Sequence, residues 1–150
     1  RLYQVSVNKM RRNNSKSFSE IKIGDKIQFD VVVDTKLHDQ FSEVSGDYSP
    51  IHCNDNFSAK TKFGKKIGYA FLLASLLSRL YGRHLPGGSS VCIKQTAEFI
   101  KPYFIGDKIV VTGEVTNKIE STRFVEIKSE MFRNGKERVF RGNGIVQILY

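Results

Sequence analysis

The sequence has no tryptophan, only two cysteines, and just three prolines and three histidines in 150 residues. Two cysteines, Cys53 and Cys92, are too few for a disulfide framework, which points to a reducing compartment. No C-x-x-C spacing occurs, and His38, His52 and His84 are scattered, so no metal is expected. Long hydrophobic runs are missing too. The longest, around Gly68–Leu77, is about half of the roughly 20 residues that a membrane span needs, so no membrane is expected among its partners. Acidic residues are outnumbered, 15 against 24 Lys plus Arg, for a net charge of +9. Such a field draws polyanions of several kinds. Nucleic acid is not expected, because no recognised RNA- or DNA-binding motif accompanies the charge.

What is present fits one domain. At 150 residues with 40% apolar composition, the chain can bury roughly 70% of its unfolded surface and form a real core. No internal repeat divides it. Residues 1–20 read as a flexible basic arm and residues 21–150 as the domain. The first 19 residues hold five basic residues and no acid, with frequent serine and asparagine. That composition fits the end of a mitochondrial targeting segment, and equally a basic arm without targeting significance. The first reading places the protein in the mitochondrial matrix, the second in the cytoplasm.

Periodicity gives the elements. A turn at Gly24-Asp25 leads into a Val/Ile-rich strand over Ile27–Asp34. Leu37, Phe41 and Val44 share one face of a helix over Lys36–Ser45, and Gly46 is placed to end it. Pro50 bars an easy continuation, and a short helix is expected over Asn56–Phe63. Tyr69–Tyr81, YAFLLASLLSRLY, is apolar on every side until Arg79, which predicts a helix about 20 Å long that is buried all round and stopped by Gly82. Beyond it the period becomes two. Strands are expected around Ile93–Phe99, Ile109–Val115, Val125–Met131 and Arg138–Leu149, with a hairpin at Asn134-Gly135 and bulges at Gly142 and Gly144. The fold class is therefore α+β: about five antiparallel strands wrapped around one long central helix. The open edge of such a sheet predicts pairing with a second copy, a homodimer.

Chemistry concentrates in Ser45-Gly46-Asp47-Tyr48-Ser49-Pro50-Ile51-His52. The segment sets a carboxylate and an imidazole five residues apart across a proline that restricts the backbone. A turn here aims both at one point, where one group can hold and deprotonate a water while a proton is delivered nearby. Cys53 sits beside His52, but sequence neighbours on a loop commonly point apart.

SGDYSPIH resembles the signature of the MaoC-like and (R)-specific enoyl-CoA hydratase family. The resemblance continues through FLLASLLSRLYGRHLPG and QTAEFIKPYFIGDKIVVTGEV, covering roughly Ile23 to Val146 in the family's order. The short length resembles the mitochondrial 3-hydroxyacyl-thioester dehydratase type 2 proteins. The resemblance implies a hot-dog fold and the reversible hydration of trans-2-enoyl thioesters to (3R)-hydroxyacyl thioesters in fatty acid metabolism. The partner would be an acyl-CoA or acyl-carrier-protein thioester, and no cofactor is implied. It gives Asp47 and His52 the water, with Asp47 as principal base and proton donor. The Ala70 N–H at the helix start is expected to support the thioester oxyanion, and Ser78 to assist. Tyr69, Phe71, Lys65 and Lys66 are expected to contact substrate near the mouth. Three positions depart from the family pattern: Tyr69-Ala70 stands where His-Gly is usual, and Ser49 where asparagine is usual. The first departure motivates an alternative, a catalytically weakened hot-dog subunit with a binding or structural role in a larger assembly.

Overall fold

The computed structural model describes residues 15–149. Residues 1–14 of the expected arm lie outside the described residues. Residues 15–20 are docked on the domain. Phe18 is buried in a short 3₁₀ turn, Phe18–Glu20, and Lys118 Nζ donates to the carbonyls of Phe18 and Ile21. Packed chain thus begins before the boundary expected at residue 21.

Strand β1 (Lys26–Val32) is followed by helix α1 (Thr35–Ser45). The Asp34 carboxylate caps α1 by accepting from the Leu37 N–H, and Gly46 ends it in the left-handed conformation at φ 70°, donating to Ser42 O. Two short helices follow, α2 (Pro50–Cys53) and α3 (Asp55–Ala59). Pro50 starts α2 at a position where a missing N–H costs nothing, so the proline read as a helix barrier is a helix beginning. The short helix expected over Asn56–Phe63 forms earlier, as α3, capped by Asn54. Then comes α4 (Ala70–Arg79), about 15 Å of α-helix. It does not stop at Gly82. A π-helical turn, Leu80–His84, carries the chain past that glycine.

Strands β2 (Ser90–Gln95), β3 (Glu98–Phe99), β4 (Lys108–Ile119), β5 (Phe124–Arg133) and β6 (Glu137–Ile148) complete the chain. All pairings are antiparallel, in the order β1-β4-β5-β6-β2, with β3 also on β6. Six strands form where about five were expected, because the run through Ile93–Phe99 breaks into β2 and the two-residue β3. Asn134 and Gly135 both take positive φ in the β5–β6 turn. The expected bulges at Gly142 and Gly144 are absent. Register shifts fall instead between Cys92 and Lys94, Val115 and Asn117, and Met131 and Phe132. The two glycines serve close approach. A Cβ on Gly142 would overlap the Thr96 carbonyl, and one on Gly144 would overlap the Tyr81 hydroxyl.

The period-two alternation of β4, β5 and β6 puts Ile109, Val111, Val115, Val125, Ile127, Met131, Phe140 and Val146 into one core with Leu72, Leu73 and Leu77 of α4. The helix is not buried all round, as its composition predicted. Phe71 is 71% exposed, and Ser75, Ser78 and Arg79 are exposed as well. The sheet covers one side of α4, and the other side stays open in the single chain.

Gly68 leads into α4 with no room for a side chain, since a Cβ would overlap the buried ring of Tyr103. Gly68→Ala is expected to destabilise the protein by about 1–3 kcal/mol through overpacking. Gly82, with open space around it and no positive φ, is the control, and Gly82→Ala is expected to be neutral or slightly stabilising. Urea denaturation midpoints check both, and equal midpoints for the two variants contradict the packing described.

Candidate active site

The site is built from three segments that meet at the N-terminal tip of α4. The first is the end of α1 with its glycine stop. The chain leaves Gly46 extended, and the Ser49 N–H donates to Asp47 Oδ1 at 3.0 Å, a local turn of the kind aspartate favours. The second is α2, which raises His52 from its third position. The third is the loop Ile67-Gly68-Tyr69. It is pinned to the domain by a β-bridge between Ile67 and Phe104, and by the Gly68 N–H donating to Tyr103 O at 2.8 Å.

His52 is held from three directions. Its Nδ1 lies 2.9 Å from the Ile67 carbonyl, which only accepts, so Nδ1 carries the hydrogen. Its ring stacks on Tyr69 at 4.0 Å between centroids. Its own carbonyl lies 2.9 Å from His38 Nε2, which therefore donates. With the hydrogen on Nδ1, the lone pair falls on Nε2, which faces Asp47 Oδ2 at 4.0 Å. That gap is too long for a direct hydrogen bond. Two acceptors at this separation suit a water that donates one hydrogen to each. The two groups differ in exposure, His52 at 13% and Asp47 at 47% of the side chain. Hydrogen bonds from Ser49, with a smaller contribution from the neighbouring His52, hold the Asp47 carboxyl below its ordinary range. Asp47 is therefore ionised at neutral pH.

The Tyr69 phenol lies beneath this pair. It is 2% exposed, and its hydroxyl donates to the Asp47 carbonyl at 2.6 Å. Burial pushes it up to about 12, so it stays protonated at neutral pH. Ala70 begins α4 with no side-chain cap on the helix, which leaves first-turn N–H groups free of intrahelical partners. It lines a cavity of about 240 Å³ with Phe63, Ile67, Leu73, Phe99 and Ile100.

The sequence-predicted residues divide accordingly. Asp47 and His52 come together, with Ala70 two residues beyond the Ile67-Gly68 loop that anchors the imidazole. Phe71 lies on the open face of α4 and packs on Phe99 at 5.6 Å. Lys65 sits over the Phe104 ring at 4.4 Å, and Lys66 pairs with exposed Asp55 at 3.6 Å. Ser78 lies two helical turns from Ala70, about 12 Å along the axis. It lines a different cavity of about 380 Å³ with Ala74, Leu77, Tyr81 and Gln95. Cys53 is an exposed free thiol whose Sγ is 3.5 Å from the Tyr69 hydroxyl. Sequence reasoning missed His38 and Ser42. Both are buried, and the signal was their i, i+4 spacing on α1 beside the apolar stripe of Leu37 and Phe41. Among the described residues, no group of three or more His, Cys, Asp or Glu converges as metal ligands do, and no helix is long and apolar enough to cross a membrane.

An antiparallel sheet laid over one long helix, with the polar cluster at the helix tip, is the hot-dog fold. The structure superposes on the (R)-hydratase from A. caviae involved in PHA biosynthesis with a TM-score of 0.82 at 30% identity, covering 85% of this chain and 97% of that one. The chain belongs to the MaoC like domain family, whose model matches residues 17–135. It is 33% identical to the (R)-specific enoyl-CoA hydratase of Aeromonas caviae over 108 residues, 72% of this chain and 81% of the relative. It is 26% identical to the mitochondrial 3-hydroxyacyl acyl-carrier-protein dehydratase of Arabidopsis thaliana over 121 residues, 79% of this chain and 72% of the relative.

Burial holds His38 and His84 below their ordinary value of 6.5. The unfolded chain then binds more protons than the native one as the solution acidifies. The associated stability is present above the unfolded value near 6.5 and is lost as pH falls through the depressed native values. Melting temperature is expected to drop between pH 7 and pH 5, and His38→Gln, which keeps a donor toward the His52 carbonyl, is expected to flatten that slope. An unchanged slope in the variant contradicts the assignment.

Proposed function

We propose that this protein catalyses the reversible addition of water to trans-2-enoyl thioesters, giving (3R)-hydroxyacyl thioesters in fatty acid metabolism. The observation that carries this reading is the pair of acceptors, Asp47 Oδ2 and His52 Nε2, set 4.0 Å apart at the tip of α4. Family membership and the activities for which the relatives are named support it.

In hydration, Asp47 and His52 orient one water against C3 of the enoyl group. As the water oxygen bonds to C3, Asp47 takes one of its protons, while the other stays on the new hydroxyl. The C2–C3 π electrons move toward the thioester, and the charge gathers on its oxygen. The Ala70 N–H and the positive end of α4 stabilise that oxygen. Asp47 then returns its proton to C2 on the same face, so the water is consumed and the carboxylate regenerated. His52 shares the charge and keeps the water aligned. Dehydration is the reverse path. No step needs a cofactor.

Replacement of His-Gly by Tyr69-Ala70 leaves a backbone donor at the helix start, which favours the catalytic reading over that of a weakened subunit. Lys65 and Lys66 place positive charge on the loop before α4, suited to the phosphate of a coenzyme A or acyl-carrier-protein arm. The exposed Phe71, and exposed Val91 and Ile93 on the edge strand β2, favour a homodimer that covers the open side of α4. The mitochondrial relative and the basic composition of residues 1–19 favour the mitochondrial matrix.

Wild-type protein is expected to remove the enoyl absorbance of crotonyl or longer enoyl thioesters on coenzyme A or acyl-carrier protein. Asp47→Asn and His52→Ala are each expected to lower kcat by about 10²–10⁴-fold while melting within a few degrees of wild type. A wild-type rate no higher than that of the double variant rejects the proposal. Release of free thiol without hydration indicates a thioesterase instead.

A further inference from the structure

Tyr69 occupies the helix start and is one of the most connected side chains of the site, yet its hydroxyl points away from solvent. The connections have a definite direction. The Asp47 carbonyl can only accept, so the single phenolic hydrogen goes there, at 2.6 Å. Ser42 Oγ lies 2.7 Å from the same phenol oxygen and 3.2 Å from the His38 carbonyl, so its single hydrogen serves the nearer phenol oxygen by giving up the longer bond to His38. One buried oxygen therefore joins the last turn of α1, the main chain of Asp47 and the start of α4. The ring does a second job. It stacks on His52 at 4.0 Å and is backed by His38 at 4.8 Å and Phe41 at 5.0 Å. The backbone of Tyr69 is fixed as well, because the buried Tyr103 hydroxyl donates to the Tyr69 carbonyl at 2.8 Å. The side chain thus touches Asp47 at its main-chain carbonyl and His52 at its ring.

We propose that Tyr69 is a positioning residue that sets the Asp47–His52 separation, through a relay running Ser42 Oγ–H to Tyr69 Oη–H to Asp47 O. This role rests on the hydration reading above and replaces the direct substrate contact expected for Tyr69 from the sequence. Without the hydroxyl, the Asp47 carbonyl loses its hydrogen bond to Tyr69, and the carboxylate drifts relative to a His52 still clamped by Ile67. Misplacement on the order of 1 Å costs up to about 100-fold in rate while leaving substrate contacts intact.

The test uses the full chain and an enoyl-thioester substrate with Tyr69→Phe, Tyr69→Leu, Ser42→Ala and the double variant S42A/Y69F. Tyr69→Phe is expected to lower kcat by about 10- to 100-fold with KM and melting temperature little changed. Ser42→Ala is expected to lose less, and the double variant to match Tyr69→Phe, because both changes cut the same relay. Tyr69→Leu, which also removes the stack, is expected to lose more, and to shift the His52 ring-proton resonances that Tyr69→Phe leaves in place. A wild-type kcat in Tyr69→Phe, losses that multiply in the double variant, or His52 resonances unmoved in Tyr69→Leu would each overturn the proposal. Asp47→Asn separates the two claims. If it inactivates and Tyr69→Phe does not, only the role of Tyr69 falls. If Asp47→Asn is as active as wild type, the hydration reading falls with it.

Discussion

Leu72, Leu73 and Leu77 enter the concave side of the sheet, and each stabilises the fold by about 1.5–3 kcal/mol. Their common face sets where α4 lies, and the position of α4 sets where its N-terminus emerges. The chain arrives there through Gly68, which passes against Tyr103 without a side chain, and through Ile67, bridged to Phe104. The carbonyl of Ile67 is thereby fixed in space, and it determines which nitrogen of His52 holds a hydrogen. The packing of α4 is thus linked to the His52 imidazole through the contacts Gly68–Tyr103, Ile67–Phe104 and Ile67 O–His52 Nδ1.

The two members of the pair are handled differently. His52 is mostly enclosed and committed at Nδ1, at its ring face and at its carbonyl, so its remaining nitrogen has one orientation. Asp47 is half exposed, ionised by its bonds from Ser49, and tied through its main chain. A rigid imidazole beside an accessible carboxylate is a sensible division for a reaction in which one group keeps a water aligned and the other exchanges a proton with it. The clamps on His52 also use groups whose preferences are not in conflict: a carbonyl that needs a donor, an aromatic face that needs a flat neighbour, and a buried His38 that needs an acceptor.

Much of this was readable in the sequence. Alternation in β4 and β5 picked out Ile109, Val111, Val115, Val125, Ile127 and Met131, which the structure buries, since period two sends them to one face. Gly46 announced the end of α1, and the SGDYSPIH segment named the two side chains, Asp47 and His52, that meet at the tip of α4. Other features were not readable, for physical reasons. The apolarity of α4 shows that its faces avoid water, but not whether the cover comes from the same chain, so the open side around Phe71 was missed. Gly142 and Gly144 read as bulges because a strand glycine marks either a bulge or a close approach, and only the positions of Thr96 and Tyr81 decide between them. Gly82 failed to stop the helix because its φ stays negative and the π turn absorbs it. The inward phenol of Tyr69 was beyond reach, since its partners Ser42 and the Asp47 carbonyl lie more than 20 positions away in the chain.

Between β1 and β2, the ladder contact among the described residues is the single bridge from Ile67 to Phe104. Residues 35–66, which hold α1, α2 and α3, therefore stand outside the sheet's hydrogen-bonded lattice while carrying Asp47 and His52. Such a segment can open without unpairing a strand, so its amides exchange with solvent through excursions far smaller than global unfolding. The strand ladder and the segment that holds Asp47 and His52 are thus joined by side-chain packing, through Leu37 and Phe41, rather than by backbone pairing.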